Sequence, residues 1–566
     1  MLDTLSNRGI NIQRILHLWE AAKEDDNSNR QAAFQAHIEK GYYSLIFLSQ
    51  AIAAQKNIRE CRLFTITSGI QPVTGNETIC AEKSAMLGPC KVISQEYHHI
   101  KCWNIDVEDV PEVISWKEQV LVDLIVQEIM QPGKDQLVAY RHRKRWVQSY
   151  KHLPLQKEDG LPKMIRPNGV YLITGGLGGI GFVLSKMLAK EGNVHLYLTG
   201  RTALPPRNEW ASYVQQANAD EAQRTRIEKV LELERLGATV EAVQANAGNL
   251  DQMKHVFDAI RKKHGGVHGV FHAAGLPGST SFRAIKDIPS TLAQGEDQFQ
   301  SKVKGLDVLE QLLDQEQADF CLLFSSISAL LGGLGFSAYS AANLYMDAFA
   351  ARLNQHSQTP WMCVNWDAWN FWGELESTIG ESINELAILP EEGAELFQYV
   401  LSNRQNRHML VSTGNLDERI GQWLSLESKA AESEDSYEVS KHERPELGNP
   451  YVAPRNETEK AICQVWQDFM GMEQVGIHDN FFDLGASSLD IVQVTNRLNQ
   501  ALQTNEAVVT LFTYPSVAEL AKYIQPSEDS EEEAMEEELA VVTSGDRRAR
   551  FKQQRNKRLR GGIENE

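Results

Sequence analysis

Residues 169–190 read GVYLITGGLGGIGFVLSKMLAK, which sets a glycine-rich loop between a strand-like stretch and a helix-like one. In this order, glycines let the backbone turn sharply and approach a pyrophosphate whose charge lies at the helix N-terminus. The alternative is a tight turn that uses glycine for steric reasons only. The flanking strand and helix favour a dinucleotide site. Its predicted contacts are Thr174, Gly175, Gly176, Leu177, Gly178, Gly179, Ile180 and Gly181.

Strand-like and helix-like segments alternate on both sides of this loop. After it come VHLYLTGR, TVEAVQANAG, GVFHAAG, CLLFSSIS and MCVNWDAW, and their largely apolar character predicts a parallel sheet covered by helices. Residues 1–160 repeat the rhythm, but TSGIQPVTG, interrupted by a proline, stands in place of the loop. We predict an α/β fold with two Rossmann-like subdomains, 1–160 and 161–425, of which only the second binds a nucleotide.

The strand that follows the loop ends at Arg201. Dinucleotide folds that select NAD often carry an acidic residue there to bind the ribose hydroxyls, whereas a guanidinium suits the 2′-phosphate of NADP. A surface arginine at a strand end is the alternative. The sequence therefore favours NADPH over NADH as the cofactor.

Two hydroxyl residues fit the reduction of a ketone. Hydride delivery leaves an alkoxide, so the site needs a proton donor, a second hydrogen-bond donor and nearby positive charge. Tyr339 in AYSAANLY is a candidate proton donor, and Ser326 at the end of CLLFSS is the candidate second donor. A tyrosine pKa of about 10 is too high for fast exchange near neutrality, so a lysine is needed beside it. Taken singly, a strand-end hydroxyl and a helix-surface tyrosine need no catalytic explanation.

Four stretches together resemble the short-chain dehydrogenase/reductase superfamily and, within it, the ketoreductase domains of modular polyketide synthases: TGGLGGIG, HAAG, FSS and YSAAN. Most short-chain dehydrogenases have a lysine four residues after the tyrosine, where this chain has Asn343. Polyketide ketoreductases exchange the two positions and place the lysine earlier. SKVKGLDVLEQL resembles that earlier segment and aligns Lys302 with the lysine. Spacing alone does not choose between Lys302 and Lys304.

The resemblance implies further roles. Residues 1–160 would be the structural subdomain that supports the catalytic one, and 366–388 a lid over the substrate, although its tryptophans fit an ordinary core equally well. The family's Leu-Asp-Asp signature after HAAG is absent and LPGS stands there, which leans toward an L-hydroxy product. Many members have aspartate where QANAG has asparagine. The additional cofactor contacts that the resemblance implies are Asn246, Ala247, Ala273, Ala274 and Gly275.

A polar, charged stretch at 426–450 predicts a flexible linker, and 451–525 reads as a small helical domain. Within it, DNFFDLGASSLDIVQ resembles acyl carrier proteins, in which the serine after Asp-Leu-Gly-x-x receives 4′-phosphopantetheine. Apart from the resemblance, Ser488 is a helix N-cap just before a helix. Ser487 is adjacent, but counting from Leu484 and requiring Leu489 to follow selects Ser488 for the covalent arm.

The overall composition argues against several classes of protein. The chain of 566 residues carries a net charge of −20, which disfavours nucleic-acid binding, and no apolar run of about 18 residues could span a membrane. Seven cysteines without CxxC or CxxH spacing predict a reduced, cytoplasmic protein without a metal site. The tail, 526–566, has an acidic block and then a basic one, and we interpret it as a solvated end or a docking segment.

These features together predict an enzyme that reduces a β-ketoacyl thioester, carried on phosphopantetheine, to the β-hydroxyacyl thioester with NADPH in polyketide biosynthesis. The implied partners are a phosphopantetheinyl transferase, an upstream ketosynthase and acyltransferase, and downstream synthase modules. One alternative is a redox-inactive, ketoreductase-like scaffold with a working carrier domain. Another, a thioester-releasing terminal reductase, is disfavoured because such reductases follow their carrier and keep lysine four residues after the tyrosine.

Overall fold

A computed structural model gives the fold. It describes residues 2–525 apart from 23–29, 56–57, 109–115, 159, 161, 192, 217–219, 276–281, 290–296, 372–385, 425–441, 443, 446, 448, 482, 485, 487, 505 and 507. The LPGS stretch, the tail, and most of the predicted lid and linker therefore lie outside the described residues. The chain divides into two compact units, the larger comprising 1–437 with the short segments 487–492 and 504–509, and the second the rest of the chain after residue 437.

The first sheet of the larger unit has five strands in the order β1-β2-β3-β4-β5. The pairs from β1 to β4 are parallel, and β5 returns antiparallel to β4. Its strands are Arg14–Glu20, Cys61–Ser68, Ile100–Val107, Leu137–Arg141 and Lys144–Val147. The helices of this region, α1 to α5, are Leu2–Asn7, Arg30–His37, Ser44–Ala53, Leu87–Glu96 and Trp116–Met130.

The second sheet has seven parallel strands in the order β12-β11-β10-β9-β6-β7-β8. They are Val170–Thr174 (β6), His195–Gly200 (β7), Thr239–Gln244 (β8), Gly269–His272 (β9), Phe320–Ser326 (β10), Trp361–Trp366 (β11) and His408–Leu410 (β12). The strand order reverses between β6 and β9, and in open α/β sheets ligands bind beyond the carboxyl ends of the strands at such a point. Strand β8 lies at an edge and is partly exposed, unlike the inner strands.

Helices α6 to α15 surround this sheet. They are Gly179–Glu191, Trp210–Gln215, Glu221–Arg235, Leu250–His264, Asp297–Phe299, Gly305–Leu313, Ser328–Leu331, Ser337–Leu353, Pro390–Ser402 and Leu416–Leu424. A π-helical turn, Gln300–Lys304, joins α10 to α11.

Helix α4 of the first region packs directly on α13 of the second. A Cβ on Gly88 would lie 2.5 Å from Ser337 O and 2.6 Å from Ala341 N, so only glycine allows this approach. The hydroxyls of Tyr42 and Ser337 are 3.1 Å apart. The first region therefore supports the beginning of the helix that carries Tyr339.

Helices α16 to α19 lie after residue 437: Glu457–Met470, Ser488–Leu502, Val508–Thr513 and Val517–Ile524. Asn456 caps α16 by accepting from Glu459 N, and the rings of Trp466 and Phe481 stack with centroids 4.1 Å apart. The helix predicted to follow Ser488 begins at Ser488 itself. Within the described residues, none of the helices is both long and apolar enough to cross a bilayer.

Candidate active site

Lys302 lies on the π-helical turn with a side chain that is almost entirely enclosed, its residue being 5% exposed. Its ammonium donates to Asn343 Oδ1 at 2.6 Å and to the carbonyl oxygen of Phe324 at 3.1 Å. A buried ammonium needs such partners to offset the loss of hydration. An ammonium has three donors, so these two acceptors hold it in place and leave one donor available.

Tyr339 stands in the first turn of α13, four residues before Asn343. The Asn343 amide nitrogen donates to the Tyr339 carbonyl oxygen at 2.8 Å, which turns Oδ1 toward Lys302. The Lys302 Nζ lies 5.2 Å from the centroid of the Tyr339 ring. Asn343 thus orients a cation beside the candidate proton donor.

Ser326 ends strand β10, two residues after the carbonyl that holds Lys302. Its Oγ accepts from Ser328 N at 3.2 Å, which leaves the hydroxyl proton available for donation. Within the part of the chain that the structure describes, no direct hydrogen bond links the hydroxyls of Ser326 and Tyr339. Ser326 and Lys302 are therefore connected through β10, and Lys302 and Tyr339 through Asn343.

The glycine loop forms a tight cradle at the reversal of strand order. Gly175 has a φ of +70°, and a Cβ there would lie 2.9 Å from Ala273 O. A Cβ on Gly181 would lie 2.4 Å from Gly175 O, so the helix packs against the loop backbone. A Cβ on Gly275 would lie 3.3 Å from Lys302 Cε. The loop, HAAG and the lysine are thus adjacent, and the residues fit a bound dinucleotide.

His272, to which the sequence assigned no role, links these parts. Ser301 O can only accept, so His272 Nε2–H donates to it at 3.1 Å, and Nδ1 accepts from Thr174 Oγ1 at 2.8 Å. The Thr174 oxygen in turn accepts from Ala274 N at 3.3 Å. Burial, aided by the positive charge of Lys302, lowers the pKa of His272 to about 4. A neutral imidazole with one defined tautomer therefore joins the cofactor loop to the turn that carries Lys302.

This lowered pKa predicts a pH dependence of stability. Between pH 6.5 and pH 4 the unfolded chain binds a proton at His272 and the folded chain does not, so the free energy of unfolding falls as pH falls. Between pH 7 and pH 5 the contribution amounts to about 2 kcal/mol. Denaturant unfolding at both pH values should show a smaller fall in the free energy of unfolding for His272→Gln than for the wild type. Equal falls would contradict the lowered pKa of His272.

The residues proposed for the adenosine end lie at the carboxyl edge of β7 and β8. Arg201 is exposed, and its carbonyl accepts from Gln244 Nε2 at 3.1 Å. Asn246 Oδ1 accepts from Gly248 N at 3.1 Å, so its side chain shapes the turn after β8. Ala247 is buried. The cofactor contacts of these residues stay predictions.

The described ends of the predicted lid have different environments. Trp366 is buried, and its ring centroid lies 4.9 Å from that of Phe397, so it belongs to the core. A Cβ on Gly179 would lie 2.6 Å from the ring of Phe371, which stacks on Trp369. Phe371 thus packs against the first residue of α6, at the edge of the cradle.

Comparisons with known proteins agree with this architecture. A family model described as KR domain matches residues 169–371, one described as phosphopantetheine attachment site matches 460–524, and one described as β-ketoacyl synthase-like, N-terminal, matches 1–128. A crystal structure of an N-terminal ketoreductase from a macrolactin assembly line is similar, with a TM-score of 0.57, 26% identity and coverage of 75% of this chain and 77% of that one. A ketoreductase domain from the bacillaene assembly line shares the fold, with a TM-score of 0.55, 22% identity and coverage of 70% and 88%.

Residues 169–371 thus form a KR domain, and the fold of the larger unit is similar to that of solved ketoreductases. The chain thus joins a KR domain to a phosphopantetheine attachment site, and it is similar to segments of modular polyketide synthases. Polyketide synthase PksN of Bacillus subtilis is 25% identical over 70% of this chain and 7% of its own length. The 6-methylsalicylic acid synthase of Aspergillus terreus is 34% identical over 40% of this chain and 12% of its own. The chain spans a small part of these relatives.

Proposed function

We propose that this chain reduces a β-ketoacyl thioester, held on a phosphopantetheine arm at Ser488, to the β-hydroxyacyl thioester with NADPH. The observation that supports this most is the buried Lys302 ammonium, bonded to Asn343 and beside the ring of Tyr339. The glycine cradle adjoins the same lysine at Gly275. A carrier domain on the same chain would deliver the substrate at high effective concentration.

The roles follow from the positions of the groups. The glycine cradle would hold the dinucleotide, which would supply the hydride for the ketone carbon. Tyr339 gives its phenolic proton to the oxygen that becomes the hydroxyl, while Ser326 donates a hydrogen bond to the same oxygen. Lys302 stabilises the phenolate left on Tyr339, and Asn343 keeps the ammonium aimed at it. The glycines bring backbone N–H groups close to the pyrophosphate.

Mass spectrometry of the carrier domain tests the proposal. The chain is loaded with β-ketoacyl groups of several lengths by a phosphopantetheinyl transferase, and NADPH is added. We expect the arm to gain the mass of two hydrogen atoms while NADPH is oxidised in equal amount. No gain with any chain length would instead favour a scaffold that has lost redox activity.

Comparing Lys302→Met with Lys304→Met tests which lysine acts. Both changes remove a charge from the same turn, but only Lys302 is bonded to Asn343 and buried, whereas Lys304 is partly exposed. We expect turnover to fall by about 10²-fold or more in Lys302→Met and by no more than a few-fold in Lys304→Met. Steady-state reduction of a soluble β-ketoacyl thioester measures both. Similar losses in the two variants would contradict the assignment.

The cofactor preference is tested at Arg201, which is exposed at the end of β7. Removing its guanidinium in Arg201→Ala should raise the KM for NADPH by about tenfold or more, because a charge-assisted contact to the 2′-phosphate is lost. The KM for NADH should change little. A matched Arg207→Ala variant, whose side chain pairs with Glu234, serves as the control. An equal effect on both cofactors at Arg201 would refute its role.

The same proposal covers the setting of the reaction. The partners would be a phosphopantetheinyl transferase, a ketosynthase and acyltransferase that supply the β-ketoacyl chain, and a downstream module that takes the product. Such machinery places the reaction in the cytoplasm. The L-hydroxy configuration is the product that we expect, and chiral analysis of the released acyl group would test it.

A further inference from the structure

Three potential metal ligands from distant parts of the chain meet at the β12 edge of the second sheet. They are Asp347 on α13, Cys363 on β11 and His408 on β12, and their donor atoms all lie within 4.8 Å of one another. Strand register explains why Cys363 and His408 meet. They are direct partners in the parallel ladder and so present their side chains on the same face. Helix α13 covers that face and supplies the carboxylate.

The distances suit a small divalent cation. Cys363 Sγ is 3.1 Å from Asp347 Oδ1, and His408 Nε2 is 3.8 Å from Asp347 Oδ2. Ligand atoms around a tetrahedral Zn²⁺, each about 2.0–2.3 Å from the ion, lie about 3.3–3.8 Å apart. Two of the three separations are therefore close to those that a shared ion requires, and the third, between Cys363 and His408, is within 4.8 Å. In the metal-free chain Asn365 Oδ1 accepts a hydrogen bond from His408 Nε2, and this bond must break before the nitrogen can bind an ion.

We propose that Asp347, Cys363 and His408 bind one Zn²⁺ ion, with water in the fourth position. Thiolate, imidazole and carboxylate form a donor set that zinc accepts. On binding, the Cys363 S–H bond breaks and its proton passes to solvent, while sulfur keeps the electron pair that binds the ion. His408 Nε2 donates its proton to Asn365 Oδ1 in the metal-free chain, so on binding that proton leaves Nε2 for solvent, a proton is taken up at Nδ1, and the freed Nε2 lone pair binds the ion.

Charge and burial around Cys363 decide its protonation in the metal-free site and what a bound ion must displace. Burial and the Asp347 charge raise the pKa of the Cys363 thiol far above its ordinary range, so without metal the thiol donates a hydrogen bond to Asp347. A Zn²⁺ ion replaces that proton between sulfur and oxygen. The Lys91 ammonium adds positive charge near Asp347 and opposes the ion, but burial lowers its pKa to about 8.

The site lies at the sheet edge, where it is open to solvent and where a bound ion would link two elements of the fold. The His408 side chain is 53% exposed, so an ion can enter from that side although Cys363 is buried. Bound metal would fasten the edge strand β12 to α13. Asn365 Nδ2 donates to Asp347 Oδ2 at 2.8 Å and to the Ser326 carbonyl at 3.1 Å, so the site adjoins the strand end that carries the candidate hydrogen-bond donor.

Titration of the metal-free chain with Co²⁺ tests the proposal. We expect a thiolate-to-cobalt charge-transfer band that saturates at one ion per chain and disappears when Zn²⁺ is added. The Cys363→Ser variant should lack the band, and His408→Gln, a change at an exposed position, should bind at least about tenfold more weakly. Cys80→Ser is the control, because Cys80 is a partly exposed cysteine outside the cluster.

A second readout does not depend on the colour of cobalt. The temperature of unfolding should rise with Zn²⁺ concentration in the wild type and in Cys80→Ser, and stay unchanged in His408→Gln at the same concentrations. Absence of the band in the wild type, or equal binding by the wild type and His408→Gln, would mean that the three residues form a hydrogen-bonded polar network and no metal site.

Discussion

Replacing Tyr339 with phenylalanine is expected to lower ketone reduction by about 10²- to 10⁴-fold, the range typical of a lost general acid. The substitution removes only the phenolic O–H. The ring, whose centroid is 5.8 Å from that of Phe336, remains to fill the same space. Loss of the proton donor leaves the alkoxide without a partner near neutral pH. The mass gain on the loaded carrier domain, measured against time, gives the rate.

Carrier loading and thermal stability serve as controls for this variant. Tyr339→Phe should load its carrier domain and unfold at the wild-type temperature, because Asn343 bonds to the backbone oxygen of residue 339 and not to its side chain. Ser326→Ala should cost less, since Ser326 donates a hydrogen bond but transfers no proton. A Tyr339→Phe enzyme within a few-fold of the wild-type rate would mean that another group supplies the proton.

Replacing Ser488 with alanine is expected to abolish attachment of the phosphopantetheine arm. Alanine has no hydroxyl to form the phosphodiester, so no acyl group can be carried and reduction in cis falls to zero. The reductase itself should be unaffected, and a soluble β-ketoacyl thioester should be reduced at the wild-type rate. Intact-protein mass spectrometry after incubation with a phosphopantetheinyl transferase measures the attachment.

The neighbouring serine provides the matched control for this experiment. Ser487→Ala should be loaded as fully as the wild type, because the Asp-Leu-Gly-x-x spacing selects the second serine. Loading of Ser488→Ala but not of Ser487→Ala would shift the attachment site by one residue. Loss of reduction of the soluble thioester in Ser488→Ala would show that the two units do not act independently.

Local patterns predicted much of this molecule correctly. The glycine loop between a strand and a helix, the parallel order of strands and the α/β class each depend on residues close together in the chain. The exposed edge of β8 was not anticipated, because the segment is apolar enough to resemble an inner strand. Its position at the edge follows from the order of all seven strands, which no single segment encodes.

Residue spacing could not choose between Lys302 and Lys304 as the candidate active-site lysine, because both lie on the same turn. In the folded chain Lys302 is buried against Asn343, whereas Lys304 is partly exposed. His272 was overlooked for the same reason. Its partners, Thr174 and Ser301, are far from it in sequence.

The sequence by itself determined the class of fold, and it predicted the dinucleotide loop, the hydroxyl pair and the carrier serine, since each is a short string with its own chemistry. Only the tertiary structure decided which lysine meets Asn343, how Gly88 lets α4 support the helix of Tyr339, and how Asp347, Cys363 and His408 come together. The physical reason is that these contacts arise from strand register and helix packing. Both bring together side chains whose separation along the chain carries no signal of their proximity.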